Sequence, residues 1–166
     1  MPPSDLFIFK TAWAVVPEPA KESRISVSSF PVICKINGVA AGAGVGIALA
    51  CDFVIAVDTA SFIQAFCKIG LVPDSGNSFF LPKLVGMARA KELCMLGDKL
   101  SAKTAQEYGL ISRVYSKETI DKEVQKLAVH FSTAPTYGLS LIKKALNESL
   151  DNTLNEQLEL EKNLQR

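Results

Sequence analysis

Short hydrophobic runs dominate the middle of the chain, and helical periods dominate its last third. The run Val32–Ile36 is rich in β-branched residues and stops at Asn37-Gly38, which predicts a buried strand followed by a turn. Ala40–Ala50 is rich in alanine and glycine, as suits a helix packed closely against a sheet, and Phe53–Val57 predicts a second strand. A strand, a helix and a strand in succession favour the α/β class with a right-handed crossover.

The stretch that follows alternates short apolar segments with glycine and proline breaks. In chain order it predicts a strand near Phe62–Gln64, a turn at Gly70, a loop at Pro73–Gly76, a helix Ala88–Leu96, a helix Ala102–Tyr108 and a strand Leu110–Tyr115. Ser101 is suited to capping the second of these helices, because its hydroxyl can accept from a first-turn N–H group. Gly97 and Gly109 stand where the two helices are expected to end.

Three amphipathic helices are predicted in the last third of the chain. Their apolar positions are Ile120, Val124, Leu127 and Phe131, then Leu139, Ile142, Leu146 and Leu150, then Leu154, Leu158 and the stretch to Leu164. Helices of this kind cannot bury their apolar faces alone. We therefore expect them to cover the α/β part or a neighbouring subunit.

The beginning of the chain follows a different pattern. Residues 1–29 contain a proline-rich opening and the breaker Pro17-Glu18-Pro19, and they predict no defined element. The sequence thus divides into an atypical extension at 1–29, an α/β core at 30–115 and a helical region at 116–166. The last helix is predicted to run to the final residues, which suggests a shortened chain.

Charge and composition exclude several classes of function. The net charge of +1 gives no electrostatic footprint for nucleic acid or an anionic membrane. No apolar run is long enough to span a bilayer, and no signal peptide is evident. The four cysteines have no C-x-x-C spacing, and the single histidine, His130, has no second histidine nearby, so neither a zinc site nor a disulfide framework is supported. His130 is predicted to take a surface or half-buried position on a helix. A cytoplasmic protein is expected.

Two segments could carry chemistry. Gly42-Ala43-Gly44-Val45-Gly46 follows a strand and opens a helix, so its N–H groups could stabilise an oxyanion; close packing of small residues is the structural alternative. Asp74 lies in a loop among apolar residues. It could be a general base in an apolar pocket, or simply a turn or capping residue.

Taken together, these segments resemble the enoyl-CoA hydratase/isomerase (crotonase) family. The resemblance lies in Asn37-Gly38-Val39-Ala40-Ala41-Gly42-Ala43-Gly44, Ala50-Cys51-Asp52 and Lys68-Ile69-Gly70-Leu71-Val72-Pro73-Asp74, and it extends over about residues 30–166. It implies a spiral of ββα units with its N-terminal part missing, a C-terminal helical region used in trimerisation, and an acyl-CoA thioester as substrate. A homo-oligomer, either a trimer or a dimer of trimers, is implied as well.

The resemblance also implies roles for individual residues. Ala43, backed by Gly44, corresponds to an oxyanion-hole donor. The two glutamates of hydratases fall on Gly46 and Phe66 here, so Asp74 is the carboxylate that remains for acid/base work. Phe66, Phe79 and Phe80 are predicted to shape an aromatic-accepting substrate pocket.

The combination of Phe66 and Asp74 is similar to that of bacterial 1,2-epoxyphenylacetyl-CoA isomerases of phenylacetate catabolism, as is the tail segment Pro135-Thr136-Tyr137-Gly138-Leu139. The implied reaction is a proton shift, either from the ring epoxide to oxepin-CoA or from a 3-enoyl-CoA to a 2-enoyl-CoA as in fatty acid metabolism. It needs no metal or redox cofactor, since CoA is part of the substrate. A hydratase-type reaction and an inactive homologue that acts only in assembly are the alternatives.

Overall fold

A computed structural model describes residues 8–9, 28 and 30–165. The strands are β1 Ile8–Phe9, β2 Ile33–Ile36, β3 Val39–Ala41, β4 Phe53–Val57, β5 Ser61–Ile63, β6 Lys99–Ser101 and β7 Arg113–Tyr115. The helices are α1 Ala43–Leu49, a 3₁₀ helix Ala65–Ile69, α2 Asn77–Val85, α3 Met87–Leu96, α4 Ala102–Glu107, α5 Ile120–Thr133, α6 Thr136–Glu148 and α7 Leu154–Leu164. The prediction of no defined element in residues 1–29 was wrong at Ile8–Phe9, which forms strand β1 beside β2; apart from residue 28, the rest of that range lies outside the described residues.

A parallel sheet in the order β1-β2-β4-β7 forms the centre of the chain. In the register of its two middle strands, Cys34 lies opposite Val54 and Ile36 opposite Ala56. All four residues of β2 are buried, as expected of a parallel strand covered on both faces. The predicted strand–helix–strand unit is confirmed, because β2 and β4 pair in parallel and α1 lies between them in the chain.

A second, smaller sheet contains β3, β5 and β6. The prediction that residues 40–50 form one helix was wrong at its start, since Val39–Ala41 is a strand and the helix begins at Ala43. Ala40 lies opposite Phe62 on β5 and is fully buried. The run was misassigned because alanine and glycine suit both a close-packed helix and a strand beside a bulky neighbour.

The two sheets alternate along the chain in a ββα arrangement. β2 joins the large sheet, β3 joins the small sheet and α1 follows; β4 and β5 then repeat this order before the next helices. This is the α/β spiral that the sequence led us to expect. One consequence is that the loops before α1 and before α2 are brought side by side.

The pattern of the chain did not reveal every element. Helix α2 was missed because Pro82 lies inside it and Gly76 precedes it, and both residues usually interrupt helices. Strand β6 has only three residues, too few for a period to show. The predicted strand at 110–115 is shorter than expected, because Leu110 and Ile111 are buried in a loop that leads into β7.

The three C-terminal helices are confirmed, but only α5 covers the large sheet. It buries Ile120, Val124, Ala128 and Phe131, and Asp121 at its start pairs with the buried Lys35 on β2. Helices α6 and α7 have no buried residue. Leu139 of α6 packs against the core, but most of their other large apolar side chains are exposed in the single chain.

Helix α6 is fastened to the sheet by a charged contact. Lys143 Nζ lies 2.8 Å from Asp52 Oδ2, and the same oxygen accepts from Val32 N at 2.7 Å. Asp52 thereby joins the start of β2 to α6.

Within the described part of the chain, no helix is both long and apolar enough to cross a membrane.

Candidate active site

The turn before α1 depends on a glycine. Gly42 has φ +52°, in the left-handed region, and its N–H donates to Ile63 O at 2.9 Å on β5. A Cβ at this position would lie only 3.3 Å from Phe66 Cζ. Backbone conformation and the approach of the Phe66 ring both favour glycine here.

The N-terminal end of α1 presents backbone donors. The first hydrogen bond of its opening turn runs from Val45 N to Gly42 O at 3.0 Å, so the N–H groups of Ala43 and Gly44 precede the regular helical pairing. Ala43 is half-buried and Gly44 is buried. Ala43 is the residue predicted as an oxyanion donor, backed by Gly44, and both lie at the N-terminal end of the helix.

The loop that carries Asp74 packs directly on α1. A Cβ at Gly46 would lie 2.1 Å from Ser75 O, a backbone atom that cannot swing aside. Only glycine allows α1 and this loop to approach so closely. The loop and the glycine-rich segment are therefore one structural unit, although they lie about thirty residues apart in the chain.

The Asp74 loop has an unusual backbone conformation. Ser75 has φ +51° and is the one non-glycine residue of the described chain with a positive φ, and Gly76 follows at φ +75°. Conformations of this kind persist only where the surrounding contacts hold them, and they concentrate at functional sites. The tight turn presents Asp74 at its outer edge.

Asp74 is exposed, and the predicted apolar pocket does not surround it in the single chain. The apolar residues that precede it, Leu71 and Val72, are 59% and 79% exposed. They are neighbours in sequence but point away from a common core. The expectation of a desolvated carboxylate was therefore wrong for the arrangement of the described residues.

Sequence reasoning missed Asn77, which connects the two segments. Its side chain is fully buried, and Nδ2 donates to Gly42 O at 3.1 Å and to Asp74 O at 2.9 Å. Oδ1 accepts from Gln64 Nε2 at 2.8 Å. A lone asparagine before an aromatic run gives no local sign of these partners.

The three predicted pocket aromatics do not form one cluster. The Phe66 ring contacts the turn at Gly42, as described above. Phe79 packs edge-on against Phe80, with ring centroids 5.3 Å apart, and Lys83 Nζ lies 3.6 Å from the Phe79 centroid. Of the three, Phe66 is the residue that the structure places beside the oxyanion donors.

The Phe80 ring lies close to Gly76 of the Asp74 loop and also lines a groove of about 410 Å³. The groove lies between the end of α1, strand β4 and helices α2, α5 and α6, and its walls include Phe53, Phe131, Ile142 and Leu146. None of Ala43, Gly44, Phe66 or Asp74 lines it. The groove is therefore distinct from the candidate site.

His130 and the four cysteines are the other side chains that could be chemically reactive. His130 is exposed on α5, as predicted, and within residues 30–165 no three His, Cys, Asp or Glu side chains form a group that could hold a metal ion. Cys34 and Cys51 are buried free thiols, whereas Cys67 and Cys94 are half-buried. Hydrogen bonding with Cys34 and burial both raise the pKa of the Cys51 thiol, which keeps it protonated and unreactive.

Comparisons with known proteins agree with this fold. Residues 17–166 match the family model described as "Enoyl-CoA hydratase/isomerase". The chain is 52% identical over 143 residues to the 1,2-epoxyphenylacetyl-CoA isomerase of Escherichia coli K12, covering 86% of this chain and 55% of that protein. It is 42% identical over 136 residues to a probable enoyl-CoA hydratase of Rhodobacter capsulatus, covering 82% and 53%.

Solved structures give the same result. An enoyl-CoA hydratase/isomerase from Cupriavidus metallidurans superposes with a TM-score of 0.86 at 35% identity, covering 89% of this chain and 56% of that one. The chain spans about half the length of the curated relatives it matches.

Proposed function

The chain belongs to the enoyl-CoA hydratase/isomerase family, and on that premise we propose that it is an acyl-CoA isomerase in which the Asp74 carboxylate carries the proton. Membership of the family supports an enzyme that acts on CoA thioesters. The choice of isomerisation among the reactions of its relatives rests on the residues of the site.

The observation that carries this choice is the contact between α1 and the Asp74 loop. The family's hydratases have glutamates at the positions of Gly46 and Phe66, according to the resemblance described above. A side chain at Gly46 is excluded here because its Cβ would lie 2.1 Å from Ser75 O. Asp74 is then the carboxylate that the site retains beside the N-terminus of α1.

The proposed reaction uses the Asp74 carboxylate and the backbone N–H groups of Ala43 and Gly44. Asp74 takes a proton from the carbon next to the thioester carbonyl, and the electrons of the broken C–H bond move onto the carbonyl oxygen as an enolate. The N–H groups of Ala43 and Gly44 stabilise that oxygen as its negative charge grows. For a 3-enoyl-CoA, Asp74 returns the proton to C4, and the double bond moves to C2–C3.

An aromatic acyl group is the substrate that we favour. The relative with 52% identity is a 1,2-epoxyphenylacetyl-CoA isomerase, and the Phe66 ring lies beside the proposed oxyanion donors. With the ring epoxide, the corresponding rearrangement gives oxepin-CoA.

The proton transfers use a carboxylate and backbone donors, so the proposed step needs no metal or redox cofactor. We further propose a cytoplasmic location, consistent with free cysteines at all four positions.

Self-association is proposed as part of the same function. Large apolar side chains of α6, α7 and the turn between them are more than half exposed: Tyr137, Ile142, Leu146, Leu150, Leu154 and Leu158. An apolar surface of this kind supports burial against another copy of the chain, as in a trimer or a dimer of trimers. Light scattering after size-exclusion chromatography measures this directly.

Parallel assays test the proposed reaction. We expect the purified chain to isomerise 1,2-epoxyphenylacetyl-CoA or a 3-enoyl-CoA, and Asp74→Asn to abolish that activity. Hydration of crotonyl-CoA that is unaffected by Asp74→Asn would favour a hydratase instead. A defined oligomer that binds no acyl-CoA and turns none over would favour a role in assembly only.

A further inference from the structure

We infer that Asn77 is a positioning residue, which fixes the oxyanion donors and the proton-carrying carboxylate relative to each other. This inference rests on the proposed function of Asp74. It concerns a residue that touches neither the substrate carbonyl nor the transferred proton. Its effect would pass through two backbone carbonyls that it holds.

The geometry makes Asn77 a bridge between the two segments. Both hydrogen atoms of its Nδ2 group are used, one toward Gly42 O at 3.1 Å and one toward Asp74 O at 2.9 Å. Gly42 directly precedes the donor residue Ala43. The same side-chain nitrogen therefore holds the backbone immediately beside the donor and the backbone of the carboxylate residue itself.

The side chain and backbone of Asn77 are both held in place by hydrogen bonds. Its side chain is fully buried, and its Oδ1 accepts a hydrogen bond from Nε2 of Gln64, a residue that is itself only 4% exposed. Asn77 N also donates to Asp74 O at 2.9 Å, which closes the turn that contains Ser75 and Gly76. Removal of the side chain would take this donor from the carbonyls of Gly42 and Asp74, beside the turn whose φ angles are positive.

Misplacement of catalytic groups is costly for rate. Donors to an oxyanion act only within a narrow range of distances, and a shift of about 1 Å lowers turnover by about a hundredfold. Substrate binding should change far less, because the Asn77 side chain is fully buried and is not accessible to an acyl-CoA. A fall in kcat with a nearly constant KM is therefore the expected signature.

Two variants of Asn77 distinguish the loss of its amide hydrogen-bond donors from the loss of its whole side chain. Asn77→Ala removes the whole contact, and Asn77→Asp keeps the size and the acceptor oxygen but loses the amide donors. Val124→Ala, a truncation in the buried face of α5 remote from the loop, provides a control for lost stability. All are compared with the unchanged full chain in the isomerase assay and in hydrogen–deuterium exchange.

We expect both Asn77 variants to lose about a hundredfold in kcat and Val124→Ala to keep the kcat of the folded fraction. In both Asn77 variants, exchange should accelerate together at the amides of Val45 and residue 77, whose acceptors are Gly42 O and Asp74 O. Unchanged kcat in Asn77→Asp, or faster exchange at only one of the two amides, would overturn the inference. If the unchanged chain turns over no acyl-CoA, the proposed function fails, and the exchange measurement still decides whether Asn77 holds both segments.

Discussion

The backbone carbonyl of Ser75 occupies the space that a side chain at Gly46 would need: a Cβ there would lie 2.1 Å from Ser75 O. Real Cβ atoms do not approach oxygen so closely, so the helix and the loop fit only with glycine at this position. The contact therefore sets how closely α1 and the Asp74 loop can pack.

Gly46→Ala should therefore distort the loop. We expect the free energy of unfolding to fall by about 2 kcal/mol, because overpacking against backbone outweighs the gain in helix propensity. Isomerase turnover should fall as well, since Asp74 lies on the displaced loop. Urea denaturation and the isomerase assay measure the two effects.

Gly138→Ala is the matched control for this substitution. Gly138 also lies in a helix, and a Cβ there would meet nothing within 4 Å. Stability should rise by about 0.5–1 kcal/mol through the lower entropy of the unfolded chain. If Gly46→Ala were as stabilising as Gly138→Ala, the close contact with Ser75 would be refuted.

Asp52 is predicted to hold α6 against the sheet. Asp52→Ala removes an acceptor for both Val32 N and Lys143 Nζ, so unfolding should become easier by about 2 kcal/mol. Asp151→Ala removes an exposed partner of Lys83 at 3.6 Å and should cost less than about 0.5 kcal/mol. Equal effects of the two substitutions in thermal denaturation would contradict the structural role of Asp52.

The thiols should differ in their rate of alkylation. Cys51 is buried, and its pKa is raised by hydrogen bonding with Cys34 and by burial, so little thiolate is available. We expect iodoacetamide to label Cys51 and Cys34 only after the chain unfolds, and Cys67 and Cys94 to be labelled first. Mass spectrometry of native and urea-treated samples gives the order, and early labelling of Cys51 would show that its surroundings are open.

The capping box of α7 should respond to acid. Hydrogen bonds from the Thr153 side chain and backbone lower the pKa of Glu156 below its usual value. A lowered pKa of an acid means that the cap is fully formed above the ordinary glutamate pKa and is lost as the pH falls through the lowered value. Protection of the residue 156 amide, measured relative to the exchange rate of an unstructured peptide at the same pH, should fall over that acidic range, whereas Glu156→Gln should remove this acid-dependent loss of protection.

The sequence predicted those elements that have a period or a clear stop signal. Phe53–Val57 and the three C-terminal helices were found because apolar spacing reflects which faces are buried. Val39–Ala41 was missed because its small residues fit a strand or a helix, and the choice depends on Phe62 across the sheet. Pairing partners of this kind lie outside any local window.

The candidate site was only partly predictable for the same reason. The glycine-rich segment and Asp74 could be selected from their neighbours in the chain. Asn77 could not, because its role comes from Gly42, which lies 35 residues earlier and meets it only in the folded chain. The exposure of Leu71 and Val72 was also invisible, since apolar neighbours in sequence need not enclose a side chain.

Proton exchange on an arylacetyl-CoA tests the central claim most directly. Phenylacetyl-CoA lacks the epoxide but retains the proton that Asp74 is proposed to remove. In D₂O, followed by proton NMR, the unchanged chain should exchange the protons next to the thioester carbonyl, and Asp74→Asn should slow this exchange at least about a hundredfold, as expected for loss of a general base. Equal exchange rates in the two proteins would contradict the assignment of Asp74 as the proton carrier.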